Sequence, residues 1–464
     1  MAIASRMGIG SALLAAALLA ACEGGGEGGA GGEAAEGGGP PAGSPTFYKD
    51  VLPILQQSCL HCHSEGRIGG FSLATYDEAK TQAGVVAAVT ADGRMPPWHA
   101  IETDLCQPPY GFVGDPRLSD EAKATLRAWA DADAPEGDPA DAPQGYEPPP
   151  VDLPNADLEL APSEPSIVEG DHDQFVCVVY DPQLTQDVYV DGVNIAPGNE
   201  SVAHHALVFR VDRSTADELS GGNERFDCFG GPPGDLIHAW APGMQPLQLP
   251  ATVGMPLSTD QVIVVQMHYH PTGTSTEEDA SKIQLRYTEE PKWDFTIALP
   301  GNATGAPELL PGPNDGASPQ FRIPAGEKDH VEAMAIEVPQ LPIELPILVV
   351  ATHMHYVGVD ARFWVERSNP GPGEAESECF VHTPAWDFNW QRGYMYNAPI
   401  EDLPTVSGGD VLRLECHYNN SMSNPFVVKA LADQGKAAPE DVVLGEQTLD
   451  EMCLGAIGFL VPHQ

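Results

Sequence analysis

Basic residues are scarce in this chain: 22 Lys+Arg stand against 67 Asp+Glu over 464 residues, a formal net charge of -45. A field of that sign repels polyanions, which excludes nucleic acid and anionic lipid surfaces as partners. It suits a strongly solvated surface in a salty extracellular medium. Long apolar runs are also few. Residues 9–21 form one, too short to span a bilayer comfortably, and nothing after it reads as transmembrane. The length suits about three domains, each able to bury its own core.

Arg6 precedes the apolar run in the manner of a secretory signal, and the run ends in Leu18-Leu19-Ala20-Ala21-Cys22. That stretch resembles a bacterial lipobox, which implies an exported lipoprotein whose mature first residue is a lipidated Cys22. Glu23 in place of aspartate implies sorting to the outer membrane, on its periplasmic or surface face, with the lipid as the sole membrane contact. Residues 1–22 are thus expected to be a signal peptide. Residues 23–45, almost all Gly, Glu, Ala and Pro, have nothing to bury and are expected to act as a tether.

Cysteine is sparse but patterned. Cys59-Leu60-His61-Cys62-His63 is the haem c attachment motif: two thiols one helical turn apart form thioethers with the vinyl groups, and the adjacent histidine coordinates iron. A zinc site would need further nearby Cys or His ligands. Met95, in the stiff loop Arg94-Met95-Pro96-Pro97-Trp98, is the candidate sixth ligand, with His99 competing and His61 expected to be solvated. The surroundings are helical in pattern. Tyr48, Val51, Leu52 and Leu55 recur at helix spacing, with Pro53 awkward among them. Ser119 can cap a helix carrying Asp120 and Glu121 in its first turn and Ala122, Leu126 and Trp129 on one face, stopped by Pro135. Residues 46–135 therefore read as a small all-α domain resembling a monohaem cytochrome c, and the Pro, Asp and Ala of 136–155 as a linker.

Beyond the linker the period changes to alternation. Short β-branched and aromatic runs at 175–180, 206–211, 262–270, 282–287, 347–357, 361–366 and 411–418 sit between turn residues, which favours antiparallel sandwiches. More than 300 residues exceed one such sandwich, so two are expected, 156–290 and 291–464. In an exported chain Cys106, Cys177, Cys228, Cys379, Cys416 and Cys453 suggest disulfides, with fifteen pairings open.

The same strands carry histidines. Alternation puts Gln266, His268 and His270 on one face, and His353 and His355 two apart on a strand at chelating distance, about 7 Å between Cα atoms. His204 and His205 are neighbours that a regular strand would point to opposite faces. Sharing one ion requires a bulge or a strand end there. With Met452 they make a set of imidazoles and one thioether, which suits copper cycling between its two oxidation states.

The segments VAHHALVF (202–209), QMHYH (266–270), IPAGEKDH (323–330), THMHYVG (352–358), CHYNNS (416–421) and DEMC (450–453) resemble, in order and spacing, the copper type II, ascorbate-dependent monooxygenases over roughly 156–464. The resemblance implies two jelly-roll-like domains, each holding one copper, facing across an open cleft. His204, His205 and His268 would hold an electron-transfer copper. His353, His355 and Met452 would hold an oxygen-binding copper and are the candidate catalytic residues, with O2 and a small organic molecule as substrates. It further implies pairing of Cys416 with Cys453, and makes Cys177 with Cys228 plausible. Cys106 and Cys379 remain, and a bridge between them is a hypothesis. Peptide-amidating members hold a substrate carboxylate with an arginine and a tyrosine where this chain has Ala351 and Ala456, so a peptide carboxylate is not the expected substrate. Trp386, Phe388 and Trp390 are expected on one strand face in the sandwich core. His270 reads as a solvated strand histidine. Electrons are expected from ascorbate or from a periplasmic or extracellular protein donor through the haem. A non-catalytic haem and copper redox or copper-binding lipoprotein is the competing reading.

Overall fold

The computed structural model describes residues 43–463 apart from 66, 147–150, 171, 274, 303–307, 314, 317 and 446–448. Cys22 and the rest of the expected signal and tether through 42 lie outside the described residues. From Gly43 onward the chain forms a single compact unit.

Three helices lead: α1 (Leu52–Ser58), α2 (Tyr76–Ala91) and α3 (Asp120–Asp131). Pro53 falls in the first turn of α1, where its missing N–H costs nothing. Thr75 and Glu78 close a capping box on α2, and the Ser119 hydroxyl accepts from the Ala122 amide at the start of α3. Phe47, Leu55, Leu126 and Trp129 bury a small core among them. A separate all-α domain is nevertheless not evident. Trp98, Ala100 and Phe112 belong to the core of the β sandwiches, Phe112 bridges to Tyr396, and Cys106 is bonded to Cys379. The expected linker is seated too, since Leu153 is buried and its amide donates to Gln284.

The rest is antiparallel β sandwich. The first half carries β1 (Leu158–Leu160), β2 (Gln174–Tyr180), β3 (Val188–Ala196), β4 (Ala203–Asp212), β5 (Arg225–Asp227), β6 (Asp235–Trp240), β7 (Val253–Leu257), β8 (Gln261–Tyr269) and β9 (Lys282–Thr288). The second half carries β10 (Trp293–Ala298), β11 (His330–Glu337), β12 (Leu345–His353), β13 (Gly358–Glu366), β14 (Ser377–Thr383), β15 (Tyr394–Met395), β16 (Val411–Tyr418) and β17 (Leu454–Pro462). One sheet of the first half runs β5-β2-β8-β4-β6, and one sheet of the second runs β11-β16-β13-β14. Their partners are not two sheets but one. The order β1-β9-β3-β7-β10-β17-β12-β15 is continuous among the described residues, joined where β7 and β10 pair in parallel through Trp293 with Val253 and Asp294 with Gly254. Gly254 is required at that seam, because a Cβ there would lie 2.9 Å from Tyr189 Cβ and 3.2 Å from Thr288.

Alternation explains the burial along these strands. Leu412, Leu414, Cys416 and Tyr418 of β16 point inward and the residues between them are half-buried. Three disulfides close the fold: Cys177 with Cys228, Cys416 with Cys453, and Cys106 with Cys379.

Candidate metal centres

The two adjacent histidines are reconciled by a bulge. In the β4 and β8 pairing His205 faces His268 and Ala203 faces Tyr269, which leaves His204 as the extra residue. Both imidazoles thereby turn to the same side as His268. His204 Nδ1 is 3.1 Å and His268 Nδ1 3.2 Å from His205 Nδ1, and the ligand atoms of all three lie within 4.8 Å of one another. Burial, then the neighbouring His268, pulls the His204 pKa down to about 4, and the same causes pull His205 well below its usual range. Neutral imidazoles keep their lone pairs for a metal at neutral pH. This donor set fits copper or zinc by chemistry and geometry.

Two further side chains fix the cluster. Asp173 Oδ2 lies 3.0 Å from His268 Nε2, the nitrogen turned away from the site, and Asp173 Oδ1 accepts from His270 Nδ1 at 2.7 Å. A carboxylate behind a ligating histidine helps to orient its ring. Phe175 stacks on His268 with the rings 4.3 Å apart and 12° from parallel. His270 lies just past the end of β8, exposed to solvent, with Asp173 at its Nδ1.

The second histidine pair differs from expectation. β12 ends at His353, and His355 stands beyond it in a turn, with the two ring centroids 5.1 Å apart. What holds that turn is Glu451, fully buried, whose carboxylate accepts from the amides of His355 (2.5 Å), Met452 (2.8 Å), Val357 (3.0 Å) and Gly358 (3.1 Å). Burial pushes the Glu451 pKa up to about 8, against the pull of those four amides. One oxygen thus ties His355 directly to Met452. The Met452 carbonyl accepts from the Tyr418 hydroxyl at 2.8 Å, and Cys453 next to it is bonded to Cys416. His355 Nδ1 donates to the Asp450 carbonyl at 3.1 Å, which leaves Nε2 for a metal. Burial, followed by His355, lowers the His353 pKa to about 3, while a hydrogen bond with Gln391 raises it.

The aromatic row expected on a strand face is not on a strand. Phe388–Trp390 is a single 3-10 turn whose N-cap Asp387 accepts from the Asn389 amide. Phe388 stacks on His204 at 5.2 Å and stands edge-on to His355 at 6.1 Å. Trp386 Nε1 donates to the His355 carbonyl at 3.3 Å. The expected open cleft is therefore bridged at this point by the 386–391 segment, which touches both histidine groups. Ala351 and Ala456 are direct cross-strand partners on β12 and β17, two residues before the His353 pair.

At the haem motif, Cys62 N and His63 N both donate to the Cys59 carbonyl, making one turn at the end of α1. Cys59 and Cys62 are the free cysteines among the described residues. Burial pushes the Cys59 thiol up to about 12 and raises Cys62 as well. His63 Nδ1 donates to the Phe71 carbonyl at 3.2 Å and its ring packs on Phe71, leaving Nε2 for iron. The donor set fits haem c on that ground. Met95 is half-buried in its loop, and its backbone N–H donates to the Val89 carbonyl at 3.1 Å. His99 is half-buried, its pKa lowered chiefly by burial. His61 was expected in solvent. Instead its Nε2 donates to the Gly243 carbonyl at 2.9 Å, and Gln245 donates to its Nδ1 at 2.9 Å.

Sequence reasoning missed Asp173, Glu451 and the role of Phe388. Glu451 lay within the DEMC motif, which was the available signal. Asp173 and Phe388 had none.

No family model matches the chain. It is similar to the dopamine beta-hydroxylase of Canis lupus familiaris, 22% identical over 289 residues, covering 60% of this chain and 41% of that protein. The chain thus spans less than half the length of that relative. Superposition on the infectious bursal disease virus VP2 subviral particle covers 68% of this chain and 84% of that one, with a TM-score of 0.12 and 9% identity, and carries no argument.

Proposed function

We propose that this protein is a copper-dependent monooxygenase that hydroxylates a C–H bond of a small organic molecule with O2. The observation that carries the reading is the unequal pair of donor groups: three converging imidazoles, and a His-x-His turn tied through Glu451 to Met452. Similarity to a known hydroxylase supports it. Copper at these positions supplies the two electrons of each turnover and a centre at which O2 is activated.

The chain's own residues do the rest. His204, His205 and His268, kept neutral by burial, hold an electron-storing ion in a fixed all-imidazole set. His353, His355 and the weak thioether of Met452 would hold the second copper, a donor set that would favour its reduced form. Ala351 and Ala456 present a small uncharged floor beside His353, so the substrate is one without a carboxylate to anchor there. Asp173 and Glu451 are positioning residues.

Cys59, Cys62 and His63 would hold haem c, with Met95 as the candidate sixth ligand, and the group would supply electrons from a periplasmic or extracellular donor; ascorbate is the alternative reductant. The N-terminal sequence supports export as an outer-membrane lipoprotein through Cys22.

The test supplies reductant and O2 to copper- and haem-loaded protein with candidate extracts. Products heavier by one oxygen atom are expected, and they should vanish in Met452→Ala and His355→Ala. Peroxide release without any oxygenated product would leave a non-catalytic redox lipoprotein as the answer.

A further inference from the structure

A carboxylate oxygen inside the second sandwich is buried without a partner. Glu332 lies on β11 with His330 and Met334, on the face that alternation turns inward, and is 1% exposed. One of its oxygens is engaged: Oε1 is hydrogen-bonded to His330 Nε2 at 2.7 Å and accepts from the Arg322 amide at 3.1 Å. The other, Oε2, is buried with no hydrogen-bond partner among the described residues. An unmet carboxylate oxygen is more costly than an unmet neutral acceptor, so it calls for a ligand.

The backbone beside it shows what that ligand meets. The Leu310 amide donates to the Ala333 carbonyl at 2.9 Å and the Ala335 amide to the Glu308 carbonyl at 2.8 Å, so residues 308–310 run antiparallel along the edge of β11. Two residues on, the strand period turns the Val331 carbonyl to the same side, where the Gly312 amide would be its donor. That amide is diverted. It donates to Asp315 Oδ2 at 2.6 Å, in a turn where the Gln320 amide holds Asp315 Oδ1 at 3.1 Å. Three oxygens therefore gather on one side of Gly312. From the point its Cβ would take, Asp315 Oδ2 is 3.5 Å, the Val331 carbonyl 3.6 Å and Glu332 Oε2 3.7 Å away. Leaving aside its chain neighbours, these are the nearest atoms among the described residues, and all of them are acceptors.

We propose that Glu332 Oε2, Asp315 Oδ2 and the Val331 carbonyl form a binding site for a calcium ion. Charge, donor type and access argue for it. Two carboxylates match a divalent cation, and donors that are all oxygen suit a hard ion, unlike the imidazoles and thioether of the copper groups. Calcium accepts an irregular mixture of carboxylate, carbonyl and water, whereas magnesium demands a near-regular octahedron. Gly312 and Asp315 are half-buried, so the ion and its remaining waters reach the site from that side. Glu332 faces Cys416 across the pairing of β11 with β16, and Cys416 is bonded to Cys453, next to Met452. A bound ion thus clamps the 312–320 turn onto the strand pair that carries this disulfide. The inference stands apart from the copper reading and does not depend on it.

The experiment uses the full-length protein, stripped of divalent ions by a chelator and returned to buffer of fixed ionic strength. Calcium chloride is titrated calorimetrically, and the thermal midpoint is followed with calcium, with magnesium and with sodium alone. One calcium ion per chain is expected to bind with a Kd of about 1 mM or tighter and to raise the midpoint, while magnesium at the same concentration does not. Asp315→Asn and Glu332→Gln should each weaken that binding by about ten-fold or more and abolish the rise. If the buried Glu332→Gln protein does not fold, Asp315→Asn decides alone. Asp131→Asn, at an exposed ion pair on α3, controls for diffuse calcium binding to an acidic surface and should leave the titration unchanged. A calcium titration and midpoint rise unmoved in either folded site variant would overturn the site. So would a wild-type protein with no calcium-dependent rise, which is the result if Glu332 Oε2 holds only a water.

Discussion

At the residue scale, the positions that matter most to the two donor groups are carboxylates, and they were the least legible. Histidines in this chain are few enough to stand out, but Asp173 and Glu451 are two among 67 acidic residues. Composition therefore offers no contrast by which to pick them, and what distinguishes them, burial against particular amides and imidazoles, comes from chain segments far apart. Glu451→Gln should show the difference in kind. The amide keeps the shape but turns an N–H2 toward backbone donors, so about 1–3 kcal/mol of unfolding free energy is expected to be lost. Copper affinity at the His353, His355 and Met452 group should fall about 10–100-fold, with the three-histidine group unchanged; metal competition titrations on each group check this.

His238 offers an independent residue-scale prediction away from the metal groups. It is buried on β6 with Nε2 unsatisfied, and burial lowers its pKa to about 4. Between that value and the ordinary 6.5 the unfolded chain binds a proton that the folded chain refuses. Stability is therefore full above about 6.5 and falls as pH drops, by about 1.4 kcal/mol per unit from this group. His238→Met should flatten the acid limb of stability measured by denaturant titration between pH 6.5 and 4.

At the scale of elements, alternation and turn residues located the main strands to within a few positions, and the 411–418 strand coincides with β16. The bulge at His204 was legible because two ligating neighbours cannot share a side of a regular strand. The end of β12 was not. Val357 looks like a continuing strand residue, yet Glu451 takes the amides of 355 and 357, and that is a tertiary effect. Phe388 and its neighbours failed for the opposite, local reason: the Asp387 side chain caps a tight turn and outcompetes the strand propensity of the aromatics. Phe388→Ala removes the ring stacked on His204, a contact type worth about 0.5–1.5 kcal/mol. Copper affinity of the three-histidine group should fall roughly two- to twelve-fold, read by competition with a chelator under anaerobic conditions.

At the scale of the whole molecule, the named strands all begin after residue 155, where the period of the sequence changes, but periodicity reports faces, not which faces meet. It gave no hint that residues 98–112 pack into the β core, or that the Cys106 to Cys379 bridge spans 273 residues. Cys106→Ser with Cys379→Ser should cost about 2–5 kcal/mol. Calorimetry should then show the helical region melting ahead of the sandwiches, where the parent protein melts as a unit.

The parallel pairing of Val253 and Gly254 with Trp293 and Asp294 bears on heredity as much as on mechanics. Cutting the polypeptide between the two halves would leave β7 and β10 each with a bare, adhesive edge. Neither half can be trimmed away, swapped into another gene or retained as a relic without carrying an aggregation hazard. A chain carrying only one of the two histidine groups is therefore expected to aggregate.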